Sequence, residues 1–211
     1  MTRLVIVRHG EAMCALNSTI GGFKGCTGLS PDGRRQAEKL RDRLLHTGEL
    51  ADADVLLTSV LPRAIETAEI IAPALGKAGG VEAKQDCDLC ELHPGEADGL
   101  TWDQWGERYG RIDMRANPYA PIAPGGESIA DFMVRVGRAL TRVVSEHPDQ
   151  TVVLAVHGGL VWGSMVTFMN LPLRSPAFLE AENTSLTEWE IAGDDATRLV
   201  RYNDFGHLTL A

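Results

Sequence analysis

Cysteine is scarce: the 211 residues hold four, Cys14, Cys26, Cys87 and Cys90. Four at this length do not make a disulfide scaffold, so the expectation is reduced thiols. Basic residues are in deficit. Lys and Arg number 20 against 29 Asp and Glu, a formal net charge of -9, which weighs against nucleic acid or an anionic membrane as partner. A few arginines in a cleft still suffice for a local positive field. No apolar run is long enough to span a bilayer. The opening MTRLVIVRHG has an apolar run, Leu4 to Val7, too short for a secretory leader, and Arg8 follows at once. The expected compartment is therefore the cytoplasm. Internal repeats, low-complexity tracts and linkers are also missing. A single domain over residues 1–211 is expected, with a loop-rich cap around 91–126.

What is present is ordinary globular composition, 44% apolar and 23% charged. Short apolar runs alternate with longer helical patterns, the mark of an α/β layered sheet. Arg3 to Val7 is β-branched and continuous, like a strand buried on both faces. Ser30-Pro31 opens a helix carrying Ala37, Leu40 and Leu44. Val55 to Leu57 is a second strand. A helix from Pro62 carries Ala64, Ala68 and Ile71, and Pro73 should kink or end it. Val81 to Ala83 is a short strand, and Trp102 to Tyr109 a short helix. Ser128, with Asp131 three residues on, caps a long helix with its stripe at Ile129, Phe132, Val136, Leu140 and Val143. Thr151 to Val156 is a strong strand, and Leu160 to Met169 a helix. Ser185 to Ile191 and Arg198 to Tyr202 are the closing strands.

Arg8-His9-Gly10 falls just past one strand and His157-Gly158-Gly159 just past another. In open α/β sheets ligands bind outside the carboxyl ends of strands. Two histidines and an arginine at such junctions suggest one site, and the glycines let a ligand approach the backbone. Arg63, in the first turn of the Pro62 helix, falls near the same rim, where a guanidinium can clamp phosphate through two parallel hydrogen bonds. Any one of these residues alone is equally well a hydrogen-bonded loop residue or a solvated arginine.

Together they carry a resemblance. Leu4-Val5-Ile6-Val7-Arg8-His9-Gly10-Glu11-Ala12 resembles the signature of the histidine phosphatase superfamily, the phosphoglycerate mutase-like proteins. Further matches follow in the family's order: Gly28 to Gly33 with Gln36-Ala37, Ser59 with Arg63-Ala64 and Thr67-Ala68, Glu91 with Gly95 and Gly99, Pro124 to Ser128, and His157-Gly158-Gly159. The resemblance implies a three-layer sandwich, a mostly parallel sheet with helices on both faces. It implies a phosphoryl group carried on His9, and a phosphate pocket lined by Arg8, Arg63, His157 and Gly158. It implies Glu91 as general acid, with Asp88, Glu96 and Asp98 as nearby competitors. It implies no metal and no cofactor, a small phosphorylated molecule as substrate, and no nucleic acid or membrane partner. A homodimer is expected from base rates alone.

The sequence departs from the family at Ala15, where an Asn often contacts phosphate; Asn17 and Thr27 are the candidates to replace it. His93 reads as exposed. Trp102, Trp105 and Tyr109 read either as a wall of the specificity pocket or as core. Cys87-Asp88-Leu89-Cys90 is a lone C-x-x-C, which becomes a metal or redox site only if Cys14 and Cys26, or a histidine, converge on it. Three activities compete with phosphatase. A mutase would use the same residues, but the 66 positions from Glu91 to His157 (157 − 91) look short for one. A non-catalytic regulatory module and a zinc or thiol-redox protein are the others.

Overall fold

The computed structural model describes residues 1–77, 80–114, 116–174, 179–193 and 196–209. Its strands are β1 (Thr2–Arg8), β2 (Val55–Thr58), β3 (Ala83–Gln85), β4 (Thr151–Val156), β5 (Leu186–Ile191) and β6 (Thr197–Asp204). Its helices are α1 (Met13–Leu16), α2 (Pro31–Thr47), α3 (Pro62–Ile71), α4 (Trp102–Tyr109), α5 (Ile129–Glu146), α6 (Gly158–Phe168) and α7 (Gly206–Thr209). The strands form one six-stranded sheet in the order β3-β2-β4-β1-β5-β6. β3, β2, β4 and β1 run parallel, and β5 and β6 are antiparallel additions at one side.

The continuous apolar runs of β1 and β4 are explained by their place at the centre. Side chains alternate between faces along a strand. Leu4 and Ile6 of β1, with Val152, Leu154 and Val156 of β4, join the cluster covered by Phe132, Val136 and Leu140 of α5 and Leu160, Val161 and Met165 of α6. Val5, Val7, Val153 and Ala155 face the other way, onto Leu40 and Leu44 of α2 and Ala68 and Ile71 of α3. The sheet is therefore covered by helices on both faces.

Helix ends follow local chemistry. Ser30 accepts from the Gly33 N–H to start α2, and Gly48, at φ 66, closes it in the left-handed conformation that glycine adopts without strain. Pro62 starts α3, and the Pro73 region turns into a 3₁₀ segment, Ala72–Ala74. Ser128 and Asp131 form a reciprocal capping box on α5. An equivalent box, Thr101 with Gln104, starts α4.

Two expectations move. The third strand lies at Ala83–Gln85 rather than 81–83, because its pairing partners Leu56 to Thr58 fix the register. Arg8 is the last residue of β1, paired with Val156, rather than a loop residue. Within the segment 91–126, of which Arg115 lies outside the described residues, a 3₁₀ turn (Gly95–Ala97) and α4 pack around a small cluster of Ile20, Ala97, Trp105, Ile122 and Ala123. Among the described residues no helix is long and apolar enough to cross a membrane.

Leu140 is fully buried between α5 and the sheet. Leu140→Ala is expected to cost about 2–5 kcal/mol of unfolding free energy through lost burial and a residual cavity. Urea denaturation checks it: the midpoint falls with the slope unchanged.

Candidate active site

The parallel register of β1 and β4 ends both strands level, Arg8 beside Val156. The next residues, His9 and His157, consequently emerge side by side, with ring centroids 5.1 Å apart. His9 is held from several directions. Its N–H donates to the Val156 carbonyl at 2.8 Å, and its carbonyl accepts from Asn183 Nδ2 at 2.9 Å. Nδ1 lies 2.6 Å from the Gly10 carbonyl, and Nε2 lies 3.0 Å from Arg63 Nε. A carbonyl can only accept and a guanidinium N–H can only donate. His9 is thus the tautomer with its proton on Nδ1 and a lone pair on Nε2. The loop is fixed further by Gly10 N, which donates to Thr67 Oγ1 at 3.1 Å.

His157 is fully buried, with Nε2 2.7 Å from Ser59 Oγ. Ser59 Oγ also accepts from the Leu61 N–H at 3.2 Å, and His157 Nε2 is the one acceptor within reach of its own proton among the described residues. The proton of neutral His157 then sits on Nδ1, a buried atom without a partner among the described residues. Arg8 Nε is a second buried donor of that kind, while Arg8 Nη1 donates to the Ala181 carbonyl. Unpaired buried donors cost about 1–3 kcal/mol each. Two of them at the ends of adjacent strands suit an incoming oxyanion, which would satisfy both.

The site is cationic in an acidic protein. Burial, then the charge of Arg63, holds both His9 and His157 well below the ordinary imidazole value, so both are neutral near pH 7. His207, hydrogen-bonded to Thr184 Oγ1 at 2.8 Å, is likewise pushed down to about 4 by burial.

Glu91 reaches the same place from the loop beyond β3. Its Oε2 accepts from the Gly159 N–H at 3.0 Å and its Oε1 from its neighbour Leu92 N–H at 3.2 Å. A Cβ on Gly159 would stand 2.1 Å from Glu91 Oε1, so only glycine lets the carboxylate approach the first turn of α6. Arg135 of α5 pins the loop by donating to the carbonyls of Asp88, Cys90 and Glu91 and pairing with Glu127 at 2.7 Å. The competing carboxylates are engaged elsewhere. Asp98 accepts from the N–H groups of Gly22, Lys24 and Gly25 and fastens that loop. Glu96 pairs with Arg108 at the surface, and Asp88 with Arg142.

A cavity of about 530 Å³ lies beside the histidines, lined by Arg63, Glu91, Gly158 and Gly159. Its remaining wall is largely apolar: Ile20, Trp102, Ile122, Phe132, Met133 and Trp162, with Arg174 the second cation. The two readings of the aromatic cluster are divided between its members. Trp102 is a wall of the cavity, whereas Trp105 is core, its Nε1 donating to the Ile122 carbonyl at 2.7 Å.

Asn17 and Thr27 are not brought to this site. Both are exposed; the short helix α1 ends at Leu16, and Asn17, its C-cap, turns to solvent. Cys14 and the Gly21–Gly22 backbone face the cavity instead, with Arg63 Nη1 donating to the Gly21 carbonyl at 2.7 Å. His93 is half-buried, not exposed as expected. Its N–H donates to Glu127 Oε2 at 2.8 Å and its ring packs on Phe23. Sequence reasoning missed Asn183, Phe132 and Met133 as groups around the site. Asn183 lies in no motif, while Phe132 reads as helix core, and Met133 falls outside the predicted stripe.

Comparison with known proteins places the chain among relatives. A family model described as the histidine phosphatase superfamily (branch 1) matches residues 4–205. Phosphoglycerate mutase-like protein 4 of Arabidopsis thaliana is 30% identical over 213 residues, covering 97% of this chain and 86% of the relative. A 2,3-bisphosphoglycerate-dependent phosphoglycerate mutase of Brucella ovis is 34% identical over 161 residues, covering 74% of this chain and 75% of the relative. Among solved structures, a mycobacterial glucosyl-3-phosphoglycerate phosphatase complexed with VO₃ superposes with a TM-score of 0.78 at 28% identity, covering 95% of this chain and 98% of that one.

Depressed histidines set a pH dependence of stability. Below about pH 6.5 the unfolded imidazoles take up protons while His9, His157 and His207 in the fold do not, so stability falls with pH until their folded values are reached. Each contributes a slope of up to about 1.4 kcal/mol per pH unit. Unfolding free energies between pH 7 and 5 are expected to fall less steeply in His157→Gln than in the parent. An unchanged slope would contradict the neutral buried imidazole.

Proposed function

The chain belongs to the histidine phosphatase superfamily, and from that premise we propose that it hydrolyses a phosphate monoester in two steps through a phosphohistidine on His9. The observation that carries this reading is the fixed tautomer of His9: Nδ1 bonded to the Gly10 carbonyl and a lone pair on Nε2. An imidazole with that lone pair is a nucleophile, and covalent catalysis splits one difficult displacement into two easier ones. In the first step Nε2 attacks phosphorus, and the bond to the ester oxygen breaks with its electron pair on that oxygen. Glu91 delivers the proton that makes it an alcohol. In the second, Glu91 takes a proton from water, the water oxygen attacks phosphorus, and the P–N electron pair returns to Nε2.

Arg63 has two partners to choose between. Its Nε now donates to the His9 lone pair. An incoming phosphate competes for that guanidinium, and the exchange frees Nε2 for attack. Arg8 Nε and His157 Nδ1, both buried and unpaired, supply donors to the equatorial oxygens, a preorganised electrostatic stabilisation.

The cavity supports phosphatase over mutase and narrows the substrate. Its described lining carries two cations, Arg63 and Arg174, and one anion, Glu91, within a mainly apolar wall. A mutase must hold a second phosphate or carboxylate on its substrate with further cations. The lining suits an ester whose alcohol has an apolar or aromatic body. The mutase reading retains the support of the Brucella ovis relative's name and its 34% identity.

The test is phosphate release from p-nitrophenyl phosphate and from an alkyl phosphate, with EDTA present, alongside mutase assays on 3-phosphoglycerate with its bisphosphate primer. His9→Ala should lose at least about 10³-fold, and Arg63→Ala about 10²–10³-fold. Glu91→Gln should lose far more on the alkyl ester, whose leaving oxygen needs a proton, than on the aryl ester. Mutase turnover exceeding hydrolysis would overturn the phosphatase reading, and hydrolysis surviving in His9→Ala would overturn the phosphohistidine.

A further inference from the structure

The C-x-x-C of Cys87 and Cys90 has no task in the chemistry above. Its surroundings give it one. Residues 87–89 form a 3₁₀ turn, whose near three-residue period puts Cys87 and Cys90 on one side. The chain then passes Glu91 and returns His93 to the same spot. One donor atom each from Cys87, Cys90 and His93 lies within 4.8 Å of the other two, the one such group found among the described residues. This is the histidine that a lone C-x-x-C lacks in the sequence.

His93 is prepared for the role. Its Nδ1 faces Glu127 Oε2 at 3.8 Å, its Nε2 is buried without a partner, and its backbone N–H donates to the same Glu127 oxygen. A carboxylate behind one ring nitrogen, with the other nitrogen unengaged, is the usual outer-shell arrangement for a metal-binding histidine. Arg135 braces the turn between these residues, donating to the Cys90 carbonyl at 2.9 Å.

We propose that Cys87, Cys90 and His93 bind one Zn²⁺ ion. Two thiolates and an imidazole are a borderline-soft donor set that selects Zn²⁺ over Mg²⁺ or Ca²⁺. Tetrahedral zinc spaces its ligand atoms by roughly 3.5 Å, which a small inward shift of the donor atoms reaches. Cys87, exposed on its turn, has the freedom to make that shift. Binding displaces one proton from each thiol, and the two thiolates balance the charge of the ion. Water would complete the tetrahedron. Cys90 and His93 bracket Glu91, so the ion ties down the loop on both sides of the carboxylate. It takes no part in phosphoryl transfer, and hydrolysis is expected to persist when it is removed.

The test is titration of the reduced, metal-free full chain with Co²⁺, followed by displacement with Zn²⁺. One equivalent of Co²⁺ should give the visible bands of a tetrahedral ion and a sulfur-to-cobalt charge-transfer absorption. Zn²⁺ should abolish both and raise the thermal midpoint. Affinity should fall at least about 100-fold in Cys87→Ser, an exposed position that spares the core, through loss of one thiolate ligand. It should fall about 10–100-fold in Glu127→Gln, which removes the carboxylate behind the histidine. No thiolate-to-cobalt band in the reduced parent would overturn the site. So would a band undiminished in Cys87→Ser, which would locate the ion elsewhere, or binding confined to Cu⁺.

Discussion

The pairing of β1 with β4 is the constraint on which everything else hangs. Because these strands run parallel and in register, Arg3 to Thr151 through Arg8 to Val156, their carboxyl ends finish together. Two residues more than a hundred positions apart in the chain are thereby set ring against ring. The helices add to that alignment rather than create it. α3 brings Arg63 in from one layer, and α6 presents the Gly158–Gly159 backbone from the other. Ser59, Thr67 and Asn183 hold the loops that result. A slip of one residue between β1 and β4 would turn the whole apolar set of β1 to the wrong faces, so the burial that stabilises the sheet also guards the geometry of the site.

The second organising feature is a contrast of environments. The chain is strongly acidic, yet the ends of β1 and β4 and the start of α3 gather Arg8, Arg63 and two neutral imidazoles. Just outside lies a wall of Trp102, Ile122, Phe132, Met133 and Trp162. Cationic and apolar surroundings thus lie side by side. Low dielectric around the cations strengthens their pull on a phosphate.

Much of this was legible in the residues. Continuous β-branched runs revealed β1 and β4, because strands covered on both faces lose their polar alternation. Ser30, Pro62 and Ser128 announced their helices through cap chemistry that is local by nature. Arg8, His9, Arg63, Glu91 and His157 were recognisable because each sits in a motif, and the structure gathers them. Where sequence reasoning failed, the determinant was non-local. The third strand was misplaced by two residues because its position is set by pairing with β2. Asn17 and Thr27 were chosen by proximity in sequence to a missing Asn, and the turn at α1 sends Asn17 outward. His93 looked exposed because Glu127 and Phe23, its partners, lie 34 and 70 positions away (127 − 93 and 93 − 23). Asn183 carried no signal at all.

The place of β1 at the middle of the sheet has a consequence for how the chain is made. Its two neighbours, β4 and β5, come from residues 151–156 and 186–191. At roughly 5–20 residues per second on a ribosome, this largely apolar strand waits on the order of ten seconds or more with both edges unpaired. Such an edge is a template for aggregation. α2 and α3, made before β4 and β5, are the elements able to cover one face of β1 in that interval.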